Sequence, residues 1–164
     1  LPNNKNIVMA ANQVNELTQI DVRVLPTRTV PEGIAAAMSF DFEGDIEGNL
    51  AAMRGAIEHV QTGEVTTGVR NTTVGGVEVK EGDIIGMLNG KLVVATESVL
   101  DTTRALLERL ELDDYEIATF FHGQNLPTEE AQEIVDTLAE EFDTLEMDLL
   151  PGGQPHYHFI FSVE

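Results

Sequence analysis

Residues 116–149 read EIATFFHGQNLPTEEAQEIVDTLAEEFDTLEMDL, and the hydrophobic period changes twice along them. Glu116 to Phe121 is a short run rich in apolar and aromatic residues, which predicts a strand. Thr128 is placed to cap a helix in which Ala131, Ile134, Val135, Leu138 and Phe142 recur at helical spacing. Glu129, Glu130, Glu133, Asp136, Glu140 and Glu141 fill the opposite face, the first two complementing the positive end of the helix dipole. Leu145, Met147 and Leu149 then alternate as a second strand. Strand, helix and strand in this succession describe a crossover unit, and with it a parallel sheet covered by helices.

The flanking sequence extends this pattern. Ser98 and Asp101 start a helix with Val99, Thr103, Leu106, Leu107 and Leu110 on its inner side. Residues 63–95 are instead rich in β-branched residues broken by Gly75-Gly76 and Gly82-Asp83. Within them Asn89-Gly90, between Ile84–Leu88 and Leu92–Val94, predicts a hairpin, because both turn positions favour positive φ. Asp45 can cap a helix whose Ile46, Leu50, Met53, Ile57 and Val60 form one apolar stripe. Thr29-Val30-Pro31-Glu32 resembles a capping box with an early proline, opening a helix that continues through Ile34 to Met38. Val22–Leu25 reads as a short strand before it, and residues 5–18 as an amphipathic helix carried by Ile7, Ala10, Ala11, Val14 and Leu17. Tyr157, Phe159, Phe161 and Val163 alternate on one face of a final strand. The expectation is a single α/β domain over residues 1–164, in two halves at about 1–95 and 96–164, its parallel sheet covered by helices and interrupted by an antiparallel hairpin insert.

The 164 residues include 9 Lys and Arg against 29 Asp and Glu, a formal charge of −20, and no cysteine. A chain of this length buries roughly 70% of its unfolded surface, enough for a core without disulfides. The absence of cysteine excludes thiolate ligands and thiol nucleophiles. The negative charge opposes nucleic acid and anionic lipid, since both select Lys and Arg. No run approaches the ~18 apolar residues of a membrane-spanning helix, and the start lacks a basic flank and apolar core of a secretory signal, so a cytoplasmic location without membrane insertion is expected. Leu1-Pro2-Asn3 reads like the end of a strand, and the chain is taken for a fragment. Charge is uneven. Residues 101–164 hold 16 acids and only Arg104 and Arg109, which makes either a heavily solvated face or a docking face for a basic partner.

Local catalytic signatures are missing: there is no phosphate loop, no Gly-x-Gly-x-x-Gly, no His-Glu-x-x-His and no Gly-x-Ser-x-Gly. Candidates come from position instead. Thr27, Arg28 and Thr29 follow a predicted strand and open a helix, where hydroxyls, a guanidinium and backbone N–H groups can meet an anion; alternatively Thr29 simply caps the helix and Arg28 neutralises nearby acids. Arg70, with Asn71, Thr72 and Thr73, forms another polar cluster, or holds an ion pair. His122 ends a strand where open α/β sheets place ligands. Gly152-Gly153-Gln154 joins the last two strands as a turn or a ligand loop. His156 and His158, two apart, would share a face of a strand and could share a metal, although a pair of ordinary imidazoles fits equally; no catalytic residue and no metal ligand is assigned.

Several phrases together resemble a known family: Leu1-Pro2-Asn3-Asn4-Lys5-Asn6-Ile7, Val24-Leu25-Pro26-Thr27-Arg28-Thr29-Val30-Pro31-Glu32-Gly33, Thr62-Gly63-Glu64-Val65-Thr66, Val69-Arg70-Asn71-Thr72-Thr73 and Gly152-Gly153-Gln154-Pro155. In order and spacing they look like the C-terminal region of the dihydroxyacetone-kinase-like proteins, the ATP-binding subunit of bacterial fatty acid kinase. The resemblance implies a DegV-like layered α/β domain without a cofactor of its own. It implies a separate N-terminal kinase domain that holds ATP and magnesium. It also implies a DegV-type fatty-acid-binding protein as partner, docked here so that its fatty acid is phosphorylated elsewhere. Arg28 stands where the family suggests Lys, Asn71 where it suggests Asp, and His156 and His158 flank Tyr157 where it suggests apolar residues. The charge agrees with a docking role: phosphoryl transfer needs a metal and cations, whereas this chain has three lysines. The alternative is a domain that itself binds a small anion or acyl group near Thr27, Arg28 and Arg70.

Overall fold

Asn89 and Gly90 hold φ of 51° and 74°, the pair of left-handed residues that turns β4 (Ile84–Leu88) back into β5 (Lys91–Thr96). The turn is also fastened to β1 (Gln61–Thr67): Asn89 donates its N–H to the Thr62 carbonyl (2.8 Å), and its Oδ1 accepts from the Thr62 N–H (2.9 Å). The hairpin is therefore laid antiparallel against β1, with Gly63 opposite Leu88. A computed structural model describes residues 4–164, so the reading of Leu1-Pro2-Asn3 lies outside the described residues. Contacts divide the chain into two units, Leu1–Val60 and Gln61–Glu164.

The second unit carries a six-stranded sheet in the order β5-β4-β1-β8-β6-β7, with β6 at Ile117–His122, β7 at Glu146–Pro151 and β8 at Tyr157–Val163. Only β6 and β7 run parallel, joined through α6 (Thr128–Glu141); the remaining neighbours are antiparallel. The expected parallel sheet is thus corrected to a mixed one. The expected crossover around α6 is present, but the turn at residues 152–156 sends β8 back antiparallel between β1 and β6. β2 (Thr72–Val74) and β3 (Val77–Val79) form a separate two-stranded ribbon.

Helix α5 (Val99–Leu107) starts at Ser98, whose Oγ accepts from the Asp101 N–H (3.0 Å). It packs over β1, β4 and β5, α6 packs over β6 and β7, and the two helices touch. Leu106, Leu107, Ile134 and Leu138 meet Val65, Phe120, Phe159, Phe161 and Val163 in one core. Phe120 stacks on Phe161 at 4.9 Å between centroids and meets Phe159 edge-on at 5.6 Å. Thr128 does not cap α6; it is the first helical residue, after Pro127.

The first unit is helical. Asn4 caps α1 (Lys5–Asn12), which breaks at Gln13 before the short α2 (Val14–Leu17), so the expected single helix is two pieces. Val22–Leu25 pairs with no strand, because the unit offers none among the described residues. Thr29 caps α3 (Val30–Met38) and Asp45 caps α4 (Ile46–Glu58), as their side chains suggested. α4 packs on α3, yet of its residues only Asn49 is buried.

Candidate functional site

At the end of β6 the backbone needs room that a side chain would fill. A Cβ on Gly123 would lie 1.9 Å from the Tyr157 carbonyl oxygen, so glycine allows β6 to press against the start of β8. Around that contact the structure gathers four of the candidate residues. The N–H groups of Gly152 and Gly153 both donate to the His122 carbonyl, at 3.0 and 3.1 Å. Gln154 donates its side-chain amide to the Phe121 carbonyl (2.7 Å) and accepts from the Gln124 N–H through its backbone carbonyl (3.1 Å). The His122 ring is buried, with Nδ1 3.1 Å from the Leu126 carbonyl and Nε2 3.5 Å from the Thr128 hydroxyl. These bonds bind the junction to itself: a turn whose polar groups secure β6, β7 and β8.

Two histidines stand beside it. His156 precedes β8 with φ of 71°, and a bulge between Val65 and Thr66 shifts the register opposite Phe159 and Tyr157. His156 lies outside β8, so the strand alternation expected to relate it to His158 does not extend to it. His158 Nε2 is 2.9 Å from the Thr67 hydroxyl. Burial holds its pKa below the ordinary histidine value, partly offset by the Glu130 carboxylate. Among the described residues no three His, Asp or Glu side chains are grouped to hold a metal ion.

Thr27, Arg28 and Thr29 belong to the first unit, and Arg70 to the second. Thr27 is fully buried. Thr29 Oγ1 accepts from the Glu32 N–H (3.3 Å), while the Glu32 carboxylate accepts from the Arg28 N–H, so the helix start meets a carboxylate from its own chain. Arg28 and Arg70 are exposed. The four ion pairs among the described residues belong to Arg23, with Asp21 and Glu47, and to Arg104, with Asp101 and Glu141.

Sequence reasoning missed two features. Beside α5 and α6, Glu97, Glu130 and Glu133 line an open hollow of about 490 Å³ with Ser98, Ile84 and Ile134, a field that repels phosphate. In the first unit an apolar groove of about 490 Å³ opens between Val14, Val24, Phe40, Ile46, Leu50 and Met53, with Arg23 among its lining residues. The stripe on α4 was legible, but the half-open groove it forms is a property of packing.

All of residues 1–164 match the family of C-terminal domains of fatty acid kinase A-like subunits. Protein YloV of Bacillus subtilis is 38% identical over 164 residues, covering 100% of this chain and 30% of its own length. An uncharacterized protein of Staphylococcus haemolyticus is 37% identical and one of Staphylococcus epidermidis 35%, each with the same coverage. The chain thus spans about 30% of the length of the curated relatives it matches. By this full-length match the chain belongs to the C-terminal family of the fatty acid kinase A-like subunits.

Proposed function

We propose that this domain is the docking module of a fatty acid kinase subunit. In this reading it receives a DegV-type fatty-acid-binding protein in the cytoplasm, and a separate N-terminal kinase domain, holding ATP and magnesium, phosphorylates the bound fatty acid. The layered sheet and helices are read as DegV-like, and the role as non-catalytic. The carrying observation is the match of all 164 residues to the C-terminal family of this subunit. A charge of −20 supports it, since such a surface repels triphosphate and speeds encounter with a basic protein. No helix is long and apolar enough to cross a membrane among the described residues.

Calorimetric titration of the full-length subunit with the purified acyl carrier, over a salt series, tests the proposal. Binding that weakens with salt and vanishes when the segment corresponding to residues 1–164 is deleted is expected. Undiminished binding after that deletion overturns it. A second reading, an acyl ligand held by the domain itself, is favoured by the apolar groove of the first unit. Native mass spectrometry of the purified subunit decides it: co-purified lipid supports that reading, and an empty protein removes it.

A further inference from the structure

Phe42 is 94% exposed, on a short segment between α3 and α4 that is fixed in place. The buried Asn49 amide fixes that segment: its Oδ1 accepts from the Asp41 N–H (2.7 Å), and its Nδ2 donates to the carbonyls of Asp41 (2.8 Å) and Asp45 (3.1 Å). Asp41 Oδ1 accepts from the Glu43 N–H (2.9 Å), and Asp45 caps α4. The Phe40 ring lines the apolar groove and meets Phe42 edge-on, 5.0 Å between centroids. Met38, 82% exposed, precedes them. A large aromatic held out in water on a hydrogen-bonded loop contributes little to the fold beyond its edge contact with Phe40, and exposed aromatics are among the residues that anchor protein interfaces. Asp41, Glu43 and Asp45 are next to the rings in sequence, and residues 38–47 contain no Lys or Arg; Glu47 is paired with Arg23 at 3.4 Å, so the segment keeps a net negative charge. Apolar centre and anionic rim together define the complement.

We infer that Phe42, backed by Phe40 and Met38, is the anchor of a protein interface whose partner surface is an apolar socket rimmed by lysine and arginine. The acyl carrier supplies that surface, a step that rests on the docking reading above. Phe42 enters the socket, and the carboxylates of Asp41, Glu43 and Asp45 set the approach and the salt sensitivity.

The experiment titrates the full-length subunit with the oleate-loaded carrier. Phe42→Ser is expected to raise the dissociation constant about tenfold or more, with at most a small fall in melting temperature from the lost edge contact with Phe40. Glu43→Lys is expected to weaken binding at low salt, the difference from wild type closing at high salt. A benzophenone amino acid at position 42 is expected to cross-link to a carrier peptide containing Lys or Arg. Carrier binding that survives Phe42→Ser overturns this inference and leaves the docking reading standing. No carrier binding by the unaltered protein overturns both. A cross-link to the subunit's own upstream region, or none while the carrier binds, overturns the assigned occupant.

Discussion

Arg104 and Glu141 join α5 to α6 through two parallel hydrogen bonds, Nε to Oε2 at 2.6 Å and a terminal guanidinium nitrogen to Oε1 at 2.8 Å. The other terminal nitrogen reaches Asp101 at 2.6 Å. The hydrogen bond from Arg104 holds the Glu141 carboxyl below the usual carboxylate pKa, and for Asp101 the Ser98 hydroxyl contributes most. A depressed folded-state pKa contributes stability that is present at neutral pH and lost as pH falls through the carboxylate range. Arg104→Lys cannot make the two-pronged contact. It should melt below wild type at neutral pH, with the gap closing in acid; calorimetric melting over a pH series checks this, and a constant gap would count against the ion pair.

Glu64 follows the opposite sign. It lies in β1 opposite Ile160 of β8 and Met87 of β4, and burial raises its pKa. Its negative charge also adds to the effect of burial in raising the Tyr157 pKa. A raised carboxyl pKa means that the contribution of Glu64 itself is most favourable below about pH 4, its unfolded value, and is lost as pH climbs through the folded value. Glu64→Gln should therefore be more stable than wild type at neutral pH and indistinguishable from it in acid. Urea midpoints at the two pH values measure both halves.

Asn89→Ala should lower stability by about 2 kcal/mol, since it removes the acceptor for the Thr62 N–H and leaves a side chain less suited to positive φ. Asn89→Gly retains the backbone freedom but loses the acceptor. It should recover only part of the loss in chemical denaturation.

Gly63 sits under the aromatic core: a Cβ there would be 2.0 Å from Phe161, whose ring is fully buried and stacked on Phe120. Gly63→Ala should cost about 3 kcal/mol by overpacking. Gly123→Ala meets a carbonyl oxygen that no rotamer can move, so it should exceed Gly153→Ala, which has open space and a φ of 65° and costs about 1 kcal/mol. Urea unfolding of the three variants ranks them.

Local chemistry made much of this fold readable. Thr29, Asp45 and Ser98 announced their helices because capping is settled within three residues, and Asn89-Gly90 announced its hairpin because the turn itself requires that backbone. Strand direction was not readable in the same way: β8 enters antiparallel because of where β1 and β6 already lie. The strand alternation expected of His156 and His158 was unreadable for a similar reason, since where β8 begins, at Tyr157, is decided by its pairing with β1. Of the candidate residues, His122, Gly152, Gly153 and Gln154 do meet, joined by backbone bonds that residue types do not reveal. Phe42 and Asn49 went unnoticed because exposure of one and burial of the other exist only after folding.

The position of β8 has a kinetic consequence. Its residues fill the middle of the sheet, paired on one side with β1 and on the other with β6, although they are synthesised after both. On the ribosome, β1 and β6 must wait with open edges until Val163 has been made, and the β1–β8 pairing closes the longest loop in the unit. Removing a few residues around Phe161 would therefore split the sheet into two leaves, each with a bare edge inviting aggregation, instead of merely trimming it.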